Sequence, residues 1–241
     1  MENLKNKIQS LLKLYKAKKF AESESFSKLL VKEYPKSAFL YNILGLILAA
    51  QNKFSEAIST YEKGLEIDSN NASIYNNIGT LYKAKGDYES AEKFFKKSIK
   101  IDDKGPEVYN NLGNLFQLLN RHEESINCYK KALKIKNDSY ISNYNIGVVY
   151  KSLGKFNEAR KYLIKAISIN KDFYSAHRNL SQIIKYNKKN FHYKLLKKIY
   201  FDSNDKNKKE EIIFALGKAY EDIKDYDESF RYYNEANKIY K

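Results

Sequence analysis

Glycines return every 34 residues along the first two thirds of the chain, at Gly45, Gly79, Gly113 and Gly147. A fixed period of this length means that one supersecondary unit is copied and that each copy buries its apolar side against its neighbours. Other columns keep the same step. Tyr41, Tyr75 and Tyr109 stand four residues before the glycine, and Leu48, Tyr82, Phe116 and Tyr150 three after it, the spacing of one helix face. A second set follows at i, i+3 and i+7: Phe54, Tyr88, His122 and Phe156; then Ala57, Ala91, Ser125 and Ala159; then Tyr61, Phe95, Tyr129 and Leu163. Between the two helices stand Asn52, Gly86, Asn120 and Gly154, the residue types that best accept a left-handed helix end. Pro106 opens a helix where its missing N–H costs nothing, and Pro35 lies in the turn that ends the first unit. Each unit therefore reads helix, turn, helix, turn, and the chain is all-α.

The segments Tyr-Asn-Asn-Ile-Gly-Thr-Leu-Tyr (75–82) and Tyr-Asn-Asn-Leu-Gly-Asn-Leu-Phe (109–116), each followed by the small and aromatic columns, resemble tetratricopeptide repeats. That resemblance implies a right-handed α-solenoid, a superhelix of hairpins with a concave groove lined by the first helix of each. Four full units are expected at 38–71, 72–105, 106–139 and 140–173, with a degenerate cap at 1–37 that places Leu11 in the glycine column. A degenerate helical pair with a polar loop at Asp202 to Lys208 covers 174–207, and a last hairpin covers 208–241. Phe-Ala-Leu-Gly-Lys-Ala-Tyr-Glu-Asp (214–222), with Tyr226, Ser229 and Ala236, is similar to the segment that joins the repeats to the catalytic domain in bacterial tetratricopeptide-sulfotransferase fusions. No glycine-rich loop for a phosphosulfate donor follows it, so that activity does not carry over.

Composition narrows the function classes. One cysteine, Cys128, excludes an internal disulfide, and the three histidines have no metal-ligand spacing. There are no paired carboxylates, catalytic triad or phosphate loop, so neither enzymatic activity nor a cofactor is expected. The N-terminus lacks the pattern of a secretory signal, and Phe39 to Ala50, the most apolar stretch, is far short of the roughly 20 residues that cross a bilayer. A reducing, cytoplasmic setting is the expectation. The net charge of +15 favours acidic partners, and codon bias in an AT-rich genome also accounts for abundant lysine.

Register identifies the ligand face. Counting from Ala38, Ala72, Pro106 and Tyr140, positions 2, 5, 6, 9, 12 and 13 lie opposite the tyrosine and glycine columns. The sixth position reads Asn77, Asn111, Asn145 and Asn179, and the fifth carries Asn42, Asn76 and Asn110. Carboxamides both donate and accept, so such a ladder can pair with the peptide groups of an extended segment, or can tie adjacent repeats together. The ladder resembles the repeats of O-linked N-acetylglucosamine transferases. The twelfth position gives Lys83, Gln117, Lys151 and Lys185, a parallel column that favours an acidic peptide. Tyr144, beside Asn145 and Arg178, is placed to stack on a ligand side chain.

Chaperone-binding relatives use lysine and asparagine at the fifth and ninth positions; here Asn110 and Asn114 stand there, so chaperone tails are not expected. Arg178 is the single arginine of the groove set, which argues against nucleic acid, although a basic nucleic-acid or anionic-surface binder stays as an alternative. So does a substrate-recognition arm of a larger sulfotransferase or glycosyltransferase. Tyr232, Tyr233 and Tyr240 suggest an uncovered apolar end, hence a homo-oligomer through the C-terminal hairpin.

Overall fold

The computed structural model describes residues 3–202 and 206–239. Among them stand fourteen helices and no strand: α1 (Leu4–Lys16), α2 (Phe20–Glu33), α3 (Ala38–Ala50), α4 (Phe54–Ile67), α5 (Ala72–Ala84), α6 (Tyr88–Ile101), α7 (Pro106–Leu118), α8 (His122–Ile135), α9 (Tyr140–Ser152), α10 (Phe156–Ile169), α11 (Tyr174–Ser181), α12 (Phe191–Asp202), α13 (Lys206–Asp222) and α14 (Tyr226–Ile239). The chain divides into two compact units, 1–115 and 116–241, with the boundary inside α7.

Within the first unit each helix from α1 to α6 packs on the next, and α3 also meets α5. The glycine column explains why the two helices of a hairpin approach so closely. A Cβ on Gly45 would lie 2.3 Å from the Tyr61 ring, and one on Gly79 2.8 Å from Phe95. The same clash recurs in the second unit, where a Cβ on Gly147 would lie 2.8 Å from Leu163 and one on Gly217 2.8 Å from Tyr233. In every case the large partner stands 16 residues after the glycine.

The first hairpin keeps the spacing and reverses the sizes. Leu11 occupies the glycine position, the residue 16 later is Ser27, and both are fully buried at 0% exposure. The pair keeps about the same summed side-chain size while exchanging which helix supplies the bulk. The exchange leaves the buried Ser27 hydroxyl without a hydrogen-bond partner among the described residues, a cost of about 1 kcal/mol.

The hairpin turns are left-handed where expected, with φ of 61° at Asn52, 81° at Gly86, 58° at Asn120 and 69° at Gly154. Lys18 and Lys224 adopt the same conformation, at φ 58° and 63°. The hydrogen-bond pattern that closes the helix forces it: Lys53 N–H donates to the Leu48 carbonyl at 3.0 Å, Lys19 N–H to Leu14 at 3.1 Å and Asp225 N–H to Tyr220 at 3.0 Å.

In the second unit the regular stacking of α8, α9, α10 and α11 gives way after Ser181, where α11 ends after eight residues. Tyr186 explains the departure. Its backbone N–H donates to the Asp222 carboxylate at 2.9 Å instead of to a helix carbonyl, and its side chain is buried. Lys185, expected at a helical groove position, is therefore an exposed residue of the 182–190 connection and belongs to no helix. The polar loop expected to run through Lys208 is shorter, because α13 already covers Lys206 onward, a run of strong helix formers. Tyr232 is buried at 1% exposure and Tyr233 packs over Gly217, so these two do not leave an apolar end uncovered; Tyr240 lies outside the described residues.

A buried polar chain holds this irregular hairpin. The Lys171 carbonyl can only accept, so His177 Nε2–H donates to it at 2.9 Å. His177 Nδ1 then accepts from His192 Nε2–H at 2.9 Å, and His192 Nδ1 accepts from the Tyr186 hydroxyl at 2.7 Å. Charging both rings would set two N–H donors face to face, and charging either one places an ion where burial has removed its water. Burial accordingly holds His177 below the usual histidine range, and burial together with His177 pushes His192 down to about 3. In the first unit a carboxylate plays the equivalent part. Glu24 of α2 accepts from Lys28 at 2.6 Å, Lys53 at 2.7 Å and Gln51 at 2.8 Å, and these partners hold its carboxyl at about 2.

Two predictions follow from these contacts. Gly79→Leu should cost on the order of 3 kcal/mol, and Phe95→Ser in the same chain should recover at least about 1 kcal/mol of it, by analogy with Leu11 and Ser27; additive losses in chemical denaturation would refute size exchange. Acid should act on the two units in sequence. An unfolded histidine protonates near pH 6.5 while the folded pair resists, so stability around α11 and α12 falls by about 1.4 kcal/mol per pH unit for each ring the fold keeps neutral. Glu24 is depressed from 4.5, so its contribution is present above that pH and lost as the pH falls toward 2. Hydrogen exchange corrected for intrinsic rates should show α11 and α12 losing protection between pH 7 and 5 while α2 and α3 hold until below about 4.5. Unchanged protection of α11 and α12 across that range would contradict the assignment.

Candidate interaction face

The residues expected on the ligand face emerge from the first helix of each hairpin, and all but Lys185 are half-buried. In the first unit the asparagines are joined across repeats. Asn77 Nδ2 donates to Asn42 Oδ1 at 2.8 Å, and Asn111 Nδ2 donates to Asn76 Oδ1 at 3.0 Å. Each bond links the sixth position of one repeat to the fifth of the repeat before it, so the ladder ties adjacent hairpins together. A carboxamide has capacity for about four hydrogen bonds, and these cross-repeat bonds use one on each side chain. Asn110 Nδ2 donates to the Pro106 carbonyl at 3.1 Å within α7, and Asn114 stands one turn further along the same helix.

The Lys83 ammonium, on α5, forms no ion pair or hydrogen bond among the described residues. Burial lowers its pKa, since the ammonium gives up water without a carboxylate in return. Gln117, the next residue of the twelfth column, is turned inward: its Oε1 accepts from the Tyr129 hydroxyl at 3.1 Å.

In the second unit the expected ligand groups are engaged with one another. Asn179 Nδ2 donates to the Tyr144 hydroxyl at 3.2 Å, so a phenol replaces the carboxamide at the fifth position. The Tyr144 ring packs edge-on against Phe173 with centroids 4.9 Å apart, and Asn145 follows it on α9. Lys151 Nζ donates to Asn179 Oδ1 and, at 2.7 Å, to Gln182 Oε1. Its pKa is lowered by burial and then by the Arg178 charge. Arg178 donates to Glu211 at 2.9 Å, lies 3.9 Å from Glu210 and stacks over the Phe214 ring at 4.5 Å. Glu211 went unmarked by periodicity, although counting back from Gly217 puts it at a second position, on the face that holds Arg178.

Hydrogen bonding, charge pairing and aromatic contact are all that this face offers chemically. Among the described residues no group of three histidine, cysteine or acidic side chains could hold a metal ion, and no helix is long and apolar enough to cross a membrane. Cys128 is buried on α8.

Comparison with known proteins bears on the repeat itself. Models described as tetratricopeptide repeat match residues 71–138, and 140–173 with 210–241, and one described as TPR repeat matches 45–86. No curated protein matches the sequence. Among solved structures, the one titled for functional characterization of Pseudomonas aeruginosa PilF aligns at 20% identity and TM-score 0.66, covering 84% of this chain and 91% of that one. A tetratricopeptide repeat protein from Parabacteroides merdae aligns at 16% identity and TM-score 0.64, covering 98% and 92%. YrrB, described as a TPR protein with an unusual peptide-binding site, aligns at 17% identity and TM-score 0.55, covering 86% and 97%. These likenesses establish an α-solenoid fold of helical hairpins. With the glycine contact in place in the α3–α4, α5–α6, α9–α10 and α13–α14 hairpins and the repeat models matching residues 45–138, 140–173 and 210–241, the chain belongs to the tetratricopeptide repeat family.

Proposed function

We propose that this chain is a non-catalytic scaffold whose first-helix face, in the first unit, binds an extended acidic segment of another protein. Lys83 carries the reading. A half-buried ammonium with no carboxylate beside it costs the fold something and is stabilised when a ligand supplies the missing charge. The carboxamides of Asn76, Asn77 and Asn111 stand on the same face, and the bonding capacity they do not spend on each other suits the N–H and C=O groups of an extended peptide. YrrB, similar in fold, is described as having a peptide-binding site, which is consistent with this use of the fold.

The second unit is the weaker candidate for an acidic ligand, because Arg178 and Lys151 are spent on Glu211, Asn179 and Gln182. The resemblance of 214–222 to a sulfotransferase-linked arm supports a variant of the same reading, in which the captured segment is presented to a catalytic domain.

Lys83→Met separates binding from folding. Twelve-residue random peptides selected on the full chain should be rich in Asp and Glu, and the acidic class should bind Lys83→Met about tenfold more weakly, with a melting temperature equal to or above that of the parent. Asn77→Ala with Asn111→Ala should weaken the same peptides and also lower stability by about 1 kcal/mol for each cross-repeat bond lost. Acidic peptides indifferent to Lys83→Met would place the binding face elsewhere.

A further inference from the structure

The departure of the sixth hairpin, α11–α12, from the repeat opens a cleft on the opposite side of the second unit, between the outer face of α10 and the 182–190 connection with the start of α12. Its volume is about 400 Å³. Ile167, Leu180 and Leu195 form its floor, with His192 beside them, the first two at 6% and 2% exposure. Phe156, Ile164 and Phe191 rise around it and are 54%, 48% and 78% exposed. Three large apolar side chains gathered on one concavity exceed the scattered exposure normal for a surface.

The rim is as one-sided as the walls. Arg160 and Lys185 line the cleft, no aspartate or glutamate does, and neither cation has an ion pair among the described residues. The first turn of α12 begins at its edge and adds the positive end of a helix dipole. Asn157 and Asn190 complete the mouth. Asn190 Oδ1 accepts from His192 N–H at 2.8 Å, which leaves Nδ2 as a donor.

We infer that this cleft is a second docking site, for a short amphipathic peptide segment of a partner protein that inserts two bulky apolar side chains and sets an Asp or Glu against Arg160 and Lys185. Volume and chemistry agree on that occupant. A cavity in the range of about 300–1,000 Å³ takes a compact ligand rather than a flat protein surface, and carboxamides at its mouth match backbone peptide groups. The absence of any lining carboxylate gives an acidic residue two cations to meet and a basic residue nothing. The site is separate from Lys83 in sequence and in structural unit, and it exists because Tyr186 and the histidine pair hold the connection away from the repeat path.

The same random peptides selected on the full chain provide the test. A class carrying two large apolar residues next to Asp or Glu should bind at least tenfold more weakly to Arg160→Glu and to Ile164→Asp, and within twofold of the parent to Lys83→Met. Both altered side chains are exposed, so circular dichroism melts should match the parent. Three outcomes overturn the inference: no selected class distinguishes these two variants from the parent, the distinguishing peptides are basic or uncharged, or the parent chain sediments as a dimer that Ile164→Asp converts to a monomer. The last would mean that a second copy fills the cleft.

Discussion

The contact between a side chain of no size and one of large size, 16 residues apart, sets how closely the two helices approach in the α3–α4, α5–α6, α9–α10 and α13–α14 hairpins. Where Gly45 meets Tyr61 or Gly79 meets Phe95, two helix axes come close enough for an aromatic ring to lie against backbone, and the rings are buried there at 1% and 0% exposure. The alanine and serine column one turn earlier, with Ala57, Ala91 and Ala159 at 0% exposure, keeps the rest of the interface equally narrow. Hairpins of one shape then stack by one rule, and the first-helix faces inherit the same period. Functional chemistry on those faces is periodic because packing is.

Dependence on a complementary pair, rather than on glycine, also explains which parts of the fold the sequence revealed. The glycine column announced four repeats because like residues recur in it. The first hairpin hid its membership, since Leu11 and Ser27 fill the two column positions with the sizes exchanged, both buried, and a search for recurring identity passes over recurring complementarity. Lys18 and Lys224 were equally silent: nothing in a lysine advertises a left-handed turn, and the conformation is imposed by the carbonyls of the helix it ends. Position 217 was legible because the glycine and its aromatic partner both survive, even though the interval from Ser181 is no longer 34.

For the candidate sites the sequence located side chains and did not assign their partners. Asn42, Asn76, Asn77 and Asn111 are on the face where register put them, but the bond between the sixth position and the preceding fifth spans 35 residues and is visible only when two repeats are set side by side. Arg178 and Lys83 occupy comparable columns and differ in what stands opposite, Glu211 for one and no charge for the other. Residue type alone cannot distinguish a spent cation from an unpaired one. Lys185 fails for another reason: its column presumes a helix that ends four residues earlier, at Ser181.

That early ending connects the energetics of the second unit to its chemistry. The regular hairpins hold half-buried Phe54, Tyr88 and His122 at the position of Phe156, and exposed Glu62, Lys96 and Lys130 at that of Ile164, so the apolar Ile164 is particular to α10. A repeat that continued in phase would extend α11. Instead Tyr186 is drawn inward to Asp222 and His192, and the polar chain through His177 to the Lys171 carbonyl stabilises the connection in that course. With both rings neutral, the Lys171 carbonyl fixes one tautomeric arrangement along the whole chain, and burial keeps the rings neutral. Fully satisfied buried networks specify one geometry in preference to nearby alternatives, and here the geometry specified is the one that leaves an apolar cleft open between two unpaired cations. A break in periodicity that is held by its own buried network, rather than by loose loop residues, gives a repeat protein one site that its other hairpins do not have.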